Sequence, residues 1–240
     1  MPEARQIAIV LYPGFTSLDA LGPYEVFKYL PGAEIRFVAH EPGPVATDRA
    51  ELMVGATHTF DETPAPFMLL VPGSEANTTT AMADARLLAW LKKAHQTTTW
   101  TTSVCSGALV LASAGLLEGK EATTHWWAQP SLARFGAIAR PDCRVVRSGK
   151  IWTAAGVSAG LDLALTLVHE IAGREAAEVA QLIIEYDPQP PFSSGTPNKA
   201  SERVRQVAAA ELSRLARNRR DLIWIPQIVW RRAISPSRNR

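Results

Sequence analysis

A doubly wound α/β fold, with a mostly parallel sheet and helices on both faces, is the architecture that this sequence predicts. Continuous apolar runs at residues 7–12 and 67–71 are typical of strands that are buried on both sides of a parallel sheet. Helical patterns alternate with these runs, and the connections between them are short. The length of 240 residues suits one α/β domain with a small appendage.

The first half of the chain alternates between strand and helix in the order that such a fold requires. Proline–glycine pairs at residues 13–14, 42–43 and 72–73 end the first three strands. Pro23 is expected near the first turn of the helix that follows the first strand, where proline is tolerated. The predicted elements are strands at 7–12, 34–39, 67–71 and 97–104, an edge hairpin within 45–60, and helices at 18–30, 84–95 and 107–117.

The second half continues the alternation and then changes in composition. The predicted elements are a short strand ending at His125, a helix at 131–135, a hairpin of 144–146 with 151–154, and helices at 161–171 and 176–185. Four prolines make residues 187–197 an extended loop. We therefore place an α/β domain in residues 1–198 and a basic helical extension in residues 199–240.

The extension differs from the domain in its charge. Residues 199–240 hold 11 of the 25 basic residues but only 3 of the 23 acidic ones, so the domain itself is mildly acidic. The overall charge of +2 therefore gives no argument for binding nucleic acid. Helical spacing at 202–217 places one apolar face on Val204, Val207, Ala208, Leu212 and Leu215.

A tryptophan-containing stretch at residues 222–230, between two groups of arginines, follows that helix. We expect the extension to pack on protein, either on the domain or on a dimer partner. A peripheral contact with a membrane is the alternative, because aromatic and basic residues together also suit a membrane interface.

The cysteine count favours a reducing, cytoplasmic location. Cys105 and Cys143 are the two cysteines, and they give no disulfide framework. The apolar run at 7–12 is too short for a signal peptide or a membrane span. The histidines have no metal-ligand spacing with the cysteines or with each other, so we predict no metal and no other cofactor.

The strongest indication of chemistry lies between Trp100 and Ser113. A β-type run ends at Cys105, the small residues Ser106 and Gly107 follow, and an apolar helical pattern begins at once. A strand, a tight turn that carries the nucleophile, and a helix form a nucleophile elbow. The N-terminus of a helix favours a thiolate and offers N–H groups to a developing negative charge. A buried structural cysteine is the alternative that this segment leaves open.

Two other strand ends carry residues that can act together with this cysteine, because ligands bind beyond the carboxyl ends of parallel strands. Asp19 follows the first strand and can serve as acid or base, although a first-turn helix acid is the alternative. Gly73 can direct its N–H into the cleft, or it can be a plain turn glycine. We predict that His125 has a structural role and that Cys143 takes no part in the chemistry.

Several motifs together resemble the PfpI-like branch of the class I glutamine-amidotransferase-like superfamily, over about residues 5–200. The motifs are GFTSLDALGPYEVF at 14–27, VPGS at 71–74, TSVCSGALVLASAGLLEG at 102–119, ATTHW at 122–126 and AGVSAGLD at 155–162. Within that branch the chain is most similar to the isonitrile hydratases, and IEYDPQPPF at 184–192 adds to this narrower resemblance.

The resemblance implies a flavodoxin-like fold in which Cys105 is the nucleophile and Asp19 its acid–base partner. It implies a catalytic or substrate-binding hydroxyl at Ser106, where isonitrile hydratases commonly have threonine. It also implies that Gly73 and Ser74 bind the substrate or an oxyanion, with Ser74 standing where a second glycine is common. The implied activity is hydration of a small isonitrile to an N-substituted formamide through a cysteine thioimidate, by a homodimer without a cofactor.

Two other functions are also compatible with these motifs. One is a non-catalytic ligand-sensing domain, related to the N-terminal domains of AraC-type regulators. Only some forty residues follow the domain, which is too few for the two helix-turn-helix units of those regulators. The other is a different cysteine-dependent hydrolase of small molecules. Ser106, where related hydrolases carry histidine, disfavours a Cys-His protease.

Overall fold

A central sheet of seven strands organises residues 4–216, the part of the chain that the computed structural model describes. In chain order the strands are β1 (Arg5–Val10), β2 (Ala33–Ala39), β3 (Gly43–Ala46), β4 (Met53–Ala56), β5 (His58–Thr59), β6 (Met68–Val71), β7 (Trp100–Ser103), β8 (Glu121–Ala122), β9 (Ile138–Ala139), β10 (Val145–Ser148) and β11 (Ile151–Ala154). The helices are α1 (Ser17–Phe27), α2 (Thr78–Ala83), α3 (Ala85–Thr97), α4 (Gly107–Ser113), α5 (Gln129–Arg134), α6 (Ala159–Ala172), α7 (Arg174–Ile183) and α8 (Glu202–Ala216).

The sheet confirms the predicted doubly wound topology. Its spatial order is β10-β11-β7-β6-β1-β2-β5, and every neighbouring pair is parallel except the β10–β11 hairpin at one edge. The chain runs outward from β1 to β2 and later returns to the other side of β1 as β6. Strand order therefore reverses between β1 and β6, which is where such sheets bind their ligands.

Helices on both faces of the sheet bury its apolar strands. α1, α6 and α7 pack against one another as one group, and α2, α3, α4 and α5 form the second group. All four residues of β6 and the last four of β1 are buried, as their continuous apolar sequence requires. The predicted hairpin within 45–60 is present as β3 and β4, which form a separate antiparallel pair.

The position of Pro23 differs from the prediction. α1 begins at Ser17, so Pro23 lies in the interior of the helix and not in its first turn. Its ring nitrogen cannot donate to the carbonyl of Asp19 one turn earlier. The ring packs against α6 at Gly160, where a Cβ would lie 3.2 Å from Pro23 Cγ. Close packing against α6 therefore compensates for the missing hydrogen bond.

The C-terminal extension is described only as far as α8. The predicted helix is present, but Val204 and Val207 are 45% and 62% exposed, so these two valines do not pack on the domain. Packing of the extension on a dimer partner stays a prediction. Ala208, Leu212 and Leu215 are half-buried, which means that the packed face is rotated away from the two valines. The stretch at 222–230 lies outside the described residues. Between residues 4 and 216, no helix is long and apolar enough to cross a membrane.

Candidate active site

Four neighbouring strands end at one edge of the sheet and bring the predicted site residues together. The loop after β1 leads to Asp19, the loop after β6 carries Gly73 and Ser74, and Cys105 follows β7. The loop after β11 begins at Ala155. These residues are far apart in sequence, and the parallel sheet is what makes them neighbours.

Cys105 occupies a tight, strained elbow between β7 and α4. Its φ of +57° lies in the left-handed region, which costs a residue with a Cβ about 1–2 kcal/mol. Two hydrogen bonds hold this conformation: the Cys105 N–H donates to the Ala155 carbonyl at 2.8 Å, and the Thr124 hydroxyl donates to the Cys105 carbonyl at 2.7 Å. The elbow therefore fixes the sulfur beside the ends of β6 and β11.

Asp19 lies in the first turn of α1 and is completely buried. Its Oδ2 accepts a hydrogen bond of 2.8 Å from the Gly73 N–H. Its Oδ1 is buried without a well-formed hydrogen bond, and the Cys105 thiol interacts with the same carboxyl group. The structure thus places the predicted nucleophile and the predicted acid–base residue in one buried site.

Burial dominates the ionisation of this pair. It raises the pKa of Asp19 to about 8, and the carboxyl of Asp48 adds to the rise, while the Gly73 N–H and the Cys105 thiol oppose it. Burial and then the charge of Asp19 raise the pKa of the Cys105 thiol well above its usual value, against the opposing hydrogen bonds from Ser106. Burial therefore favours the protonated form of both groups.

The prediction of a thiolate at the start of the helix stays a prediction, and the burial of the sulfur opposes it. That prediction considered the N-terminus of α4 and its N–H groups. It did not consider the desolvation of a sulfur that is only 6% exposed. Desolvation penalises the charged form of the thiol more than one short helix stabilises it.

A hydroxyl network surrounds Ser106. The Ser74 N–H donates to Ser106 Oγ at 3.0 Å, and Ser106 Oγ lies 2.7 Å from the hydroxyl of Thr78. The Thr78 hydroxyl also donates to the Ser74 carbonyl at 3.1 Å. The Gly73 and Ser74 N–H groups thus donate to Asp19 and Ser106, and not into open space as expected for Gly73. Their predicted roles in binding a substrate or an oxyanion stay predictions.

Asp48, at the tip of the β3–β4 hairpin, ties the surrounding loops together. Its Oδ2 accepts from the Thr16 hydroxyl at 2.6 Å. Its Oδ1 accepts from the Ser74 hydroxyl at 3.0 Å and from the Glu75 N–H at 2.9 Å. One half-buried carboxylate therefore joins the hairpin, the loop before Asp19 and the loop after β6.

Sequence reasoning missed Asp48, Thr78 and Tyr12. Tyr12 is buried, donates to the Pro72 carbonyl at 2.9 Å, and has a pKa that burial and the nearby carboxyls of Asp19 and Asp48 raise well above its usual value. The rule that strand ends carry the site could have identified Tyr12, which lies two residues after the end of β1. No local pattern marks Asp48 or Thr78.

Gly73 leaves no room for a side chain, which makes it a test of the site's geometry. A Cβ there would lie 2.6 Å from both the amide nitrogen and Oγ of Ser106, and 2.9 Å from Cys105 Cβ. We expect Gly73→Ala to displace the elbow, to lower the free energy of unfolding by about 1–3 kcal/mol, and to reduce any cysteine-dependent activity by about a hundredfold.

Gly55→Ala is the matched control, because a Cβ at Gly55 in β4 would meet nothing within 4 Å. Urea unfolding and activity measurements on both variants check this prediction. Equal stability and activity of the two variants would contradict it.

Alkylation tests the protonated state of Cys105. We expect iodoacetamide at pH 7 to label the exposed Cys143 at least about tenfold faster than the buried Cys105. Labelling of Cys105 should then rise about tenfold per pH unit from pH 7 to 9, because the thiolate fraction rises in that proportion below the pKa. Mass spectrometry of peptides distinguishes the two sites, and rapid, pH-independent labelling of Cys105 would refute the expectation.

An open cavity of about 700 Å³ adjoins the elbow. Thr124 and Ala155, which bond the backbone of Cys105, form part of its lining, as does Leu18, the neighbour of Asp19. His125, predicted to be structural, and Cys143, predicted to have no role, also line it. Within residues 4–216, no group of three or more His, Cys, Asp or Glu side chains could hold a metal ion.

Comparison with known proteins agrees with this architecture. Residues 5–170 match the DJ-1/PfpI family. Isonitrile hydratase from Pseudomonas putida is 41% identical over 201 residues, which is 84% of this chain and 87% of that protein. The crystal structure of a THiJ/PfpI family protein from Pseudomonas syringae superposes with a TM-score of 0.84 at 41% identity, covering 89% of both chains. Drosophila melanogaster DJ-1beta shares the fold at 18% identity, with a TM-score of 0.69 over 76% of this chain and 98% of its own.

Proposed function

This chain belongs to the DJ-1/PfpI family, and from that premise we propose that it adds water to an isonitrile to give an N-substituted formamide. The observation that carries the proposal is the buried pair of Asp19 and Cys105, in which the thiol interacts with the carboxyl group and burial raises the pKa of both. The 41% identity to an isonitrile hydratase over most of both chains supports the same reaction.

In the first step, the sulfur of Cys105 bonds to the terminal carbon of the isonitrile, R–N≡C. Asp19 donates its proton to that carbon while its other oxygen accepts the thiol proton. The S–H bond breaks as the S–C and C–H bonds form, and the product is a thioimidate, R–N=CH–S–Cys. Asp19 ends the step protonated, as it began.

In the second step, water adds to the thioimidate carbon. Asp19 accepts a proton from the water and donates its own proton to the nitrogen. The adduct, R–NH–CH(OH)–S–Cys, then breaks its C–S bond and returns the hydroxyl proton to sulfur. R–NH–CHO leaves, and the thiol and the carboxylic acid are restored without any other reactant.

An uncharged catalytic pair suits an uncharged substrate. The terminal carbon of an isonitrile accepts both the proton and the nucleophile. The thiol therefore need not ionise beforehand, because Asp19 can protonate the carbon and accept the thiol proton during the attack. Hydrolysis of an amide, the alternative within the superfamily, generates an oxyanion instead. The Gly73 and Ser74 N–H groups, which would be natural oxyanion donors, already donate to Asp19 and Ser106, and this favours hydration.

We also propose a cytoplasmic homodimer that acts on a small molecule and binds no nucleic acid. Both cysteines are free, which suits a reducing compartment. Val179, Leu182 and Ile183 on α7 are 49%, 77% and 52% exposed, and a row of apolar side chains of this kind is typical of a protein contact. Light scattering should give about twice the chain mass of 26.1 kDa.

The direct test is conversion of cyclohexyl isocyanide to N-cyclohexylformamide. The purified protein should form the formamide at a rate proportional to enzyme concentration, detected by chromatography and mass spectrometry. Heat-denatured protein is the blank, because isonitriles also hydrate slowly in acid. Absence of product above this blank, with several isonitriles, would overturn the proposal and favour a ligand-sensing role.

A further inference from the structure

Two carboxyl groups with different surroundings lie at the site. Asp19 is completely buried, and its partners are the Gly73 N–H and the Cys105 thiol. Asp48 is half-buried, and its two oxygens accept from three donors: the hydroxyls of Thr16 and Ser74 and the N–H of Glu75. Several donors are typical of a carboxylate, whereas burial favours the neutral acid. These surroundings place the negative charge on Asp48 and the proton on Asp19.

Backbone hydrogen bonds fix the position of Asp48 independently of its side chain. The Asp48 N–H donates to the Phe15 carbonyl at 3.1 Å, and the Gly14 N–H donates to the Ala46 carbonyl at 2.8 Å. The tip of the β3–β4 hairpin is thus attached to the loop that leads to α1. A change confined to the side chain of residue 48 should therefore leave the hairpin in place.

The side chain of Asp48 joins the two segments that bear on Asp19. Thr16, which donates to one carboxylate oxygen, is the N-cap of α1 and lies three residues before Asp19. Ser74, which donates to the other oxygen, follows Gly73, whose N–H donates to Asp19. The Thr16 N–H also donates to the Gly73 carbonyl at 2.9 Å. Asp48 therefore holds the carboxyl group of Asp19 and its hydrogen-bond donor in register.

The charge of Asp48 also acts on the titratable groups of the site. Burial is the main cause of the raised pKa of Asp19, Cys105 and Tyr12, and the carboxyl of Asp48 adds to the rise in all three. Cys105 and Tyr12 are the other titratable groups that face Asp19. A negative charge beside a buried acid opposes the loss of its proton.

The charged side chains around Asp48 are paired with one another. Arg49, the next residue in the hairpin, pairs with Glu75 at 3.9 Å. On α6, which packs against α1, Asp162 pairs with Arg144. Within residues 4–216, Asp48 itself has no ion-pair partner. Its charge is therefore balanced by hydrogen bonds alone and continues to act on Asp19.

We propose that Asp48 is a positioning residue for the hydration reaction: its carboxylate holds the segments on either side of Asp19 together, and its negative charge keeps the catalytic proton on Asp19. The inference rests on the proposed function and deepens it. Asp48 has no part in the bond-making steps, so its loss should change the rate and the working pH range and leave the product the same.

Asp48→Asn removes the charge and keeps the size of the side chain and one acceptor oxygen. The decrease in kcat/KM that we expect as pH passes about 8 should begin at least about half a pH unit lower in this variant, because Asp19 loses its proton more easily. Asp61→Asn is the matched control. It removes an exposed carboxylate that pairs with Arg86, and it should retain the wild-type pH limit. Equal pH limits in wild type and Asp48→Asn would overturn the inference.

Thr16→Val separates the charge of Asp48 from its hydrogen bonds. It removes one donor to the carboxylate and leaves the charge, so we expect kcat to fall about three- to tenfold at an unchanged pH limit. Asp48→Ser is a second neutral variant, and its pH limit should move in the same direction as that of Asp48→Asn. Circular dichroism and thermal unfolding establish that each variant is folded.

Urea unfolding follows the same proton without any substrate. Between pH 5.5 and 8, the unfolding midpoint of Asp48→Asn should rise relative to that of wild type, because the fold then keeps a less costly proton on Asp19. The same substitution in the Asp19→Asn background should change the midpoint by an amount that does not depend on pH.

This measurement separates the inference from the proposed function. If wild type makes no formamide but the relative midpoint rises with pH only when Asp19 is present, the reaction is wrong and the effect of Asp48 on the proton stands. If wild type is active but Asp48→Asn changes neither the pH limit nor the pH dependence of the midpoint, the inference is wrong and the reaction stands.

Discussion

Cys105→Ala is expected to abolish formamide formation, with a loss of kcat of at least about 10⁴-fold. The sulfur forms the bond that carries the intermediate, and no other described side chain at the site can replace it. The substitution leaves the hydrogen bonds of the elbow intact, because these use the backbone of residue 105. Product formation from a fixed amount of cyclohexyl isocyanide measures the effect. Residual activity above about 1% of wild type would exclude a covalent intermediate on this sulfur.

Two further variants separate chemistry from backbone strain. Cys105→Gly should be as inactive as Cys105→Ala but more stable by about 1 kcal/mol, because glycine adopts the φ of +57° without a Cβ penalty. Cys143→Ser controls for loss of a thiol as such, and should retain wild-type activity within about twofold. An inactive Cys143→Ser would show that the exposed cysteine takes part in the reaction.

Much of the fold could be predicted from local patterns. The apolar runs that became β1 and β6 are buried on both sides, and the turn glycines end them where expected. α2 was missed because its sequence, TTTAMA, has neither apolar periodicity nor strong helix formers at its start. The interior position of Pro23 was missed for another reason, since the packing against Gly160 that accommodates it joins two distant helices.

The candidate site could be predicted where it depends on strand ends. Asp19, Gly73 and Cys105 each follow a strand, and the parallel sheet brings them together. Asp48 could not be found this way, because it reaches the site from the tip of a separate hairpin. The ionisation states of Asp19 and Cys105 also could not be predicted from the sequence. The helix dipole can be read from a local motif, whereas the burial that raises the pKa of both Asp19 and Cys105 belongs to the whole fold.

The raised pKa of Asp19 lowers the free energy of unfolding at neutral pH. The unfolded chain loses this proton near the ordinary aspartate pKa of 3.8, whereas the folded chain keeps it until about pH 8. Between these values the unfolded state binds fewer protons, so the stability of the fold decreases as pH rises from about 4 to about 8. The loss is about 4 kcal/mol at pH 7, by the conversion of about 1.4 kcal/mol per pKa unit.

Asp19→Asn should therefore weaken catalysis and strengthen the fold. The amide oxygen can still accept from the Gly73 N–H, but the amide cannot exchange protons, and we expect kcat/KM to fall by about 10³-fold. The variant should unfold at higher urea concentration than wild type at pH 7 and at nearly the same concentration at pH 4, because asparagine removes the cost of keeping an acid protonated.

Wild-type activity should also fall as pH passes about 8, where Asp19 loses the proton that the isonitrile carbon requires. Urea titrations of both proteins at pH 4, 5.5 and 7 measure the effect on stability, and kcat/KM from pH 6 to 9.5 measures the effect on catalysis. If the stability of the two proteins differs by the same amount at every pH, Asp19 is ionised in the fold. The carboxyl group would then act only as a base, and the proton that reaches the isonitrile carbon would have to come from the thiol.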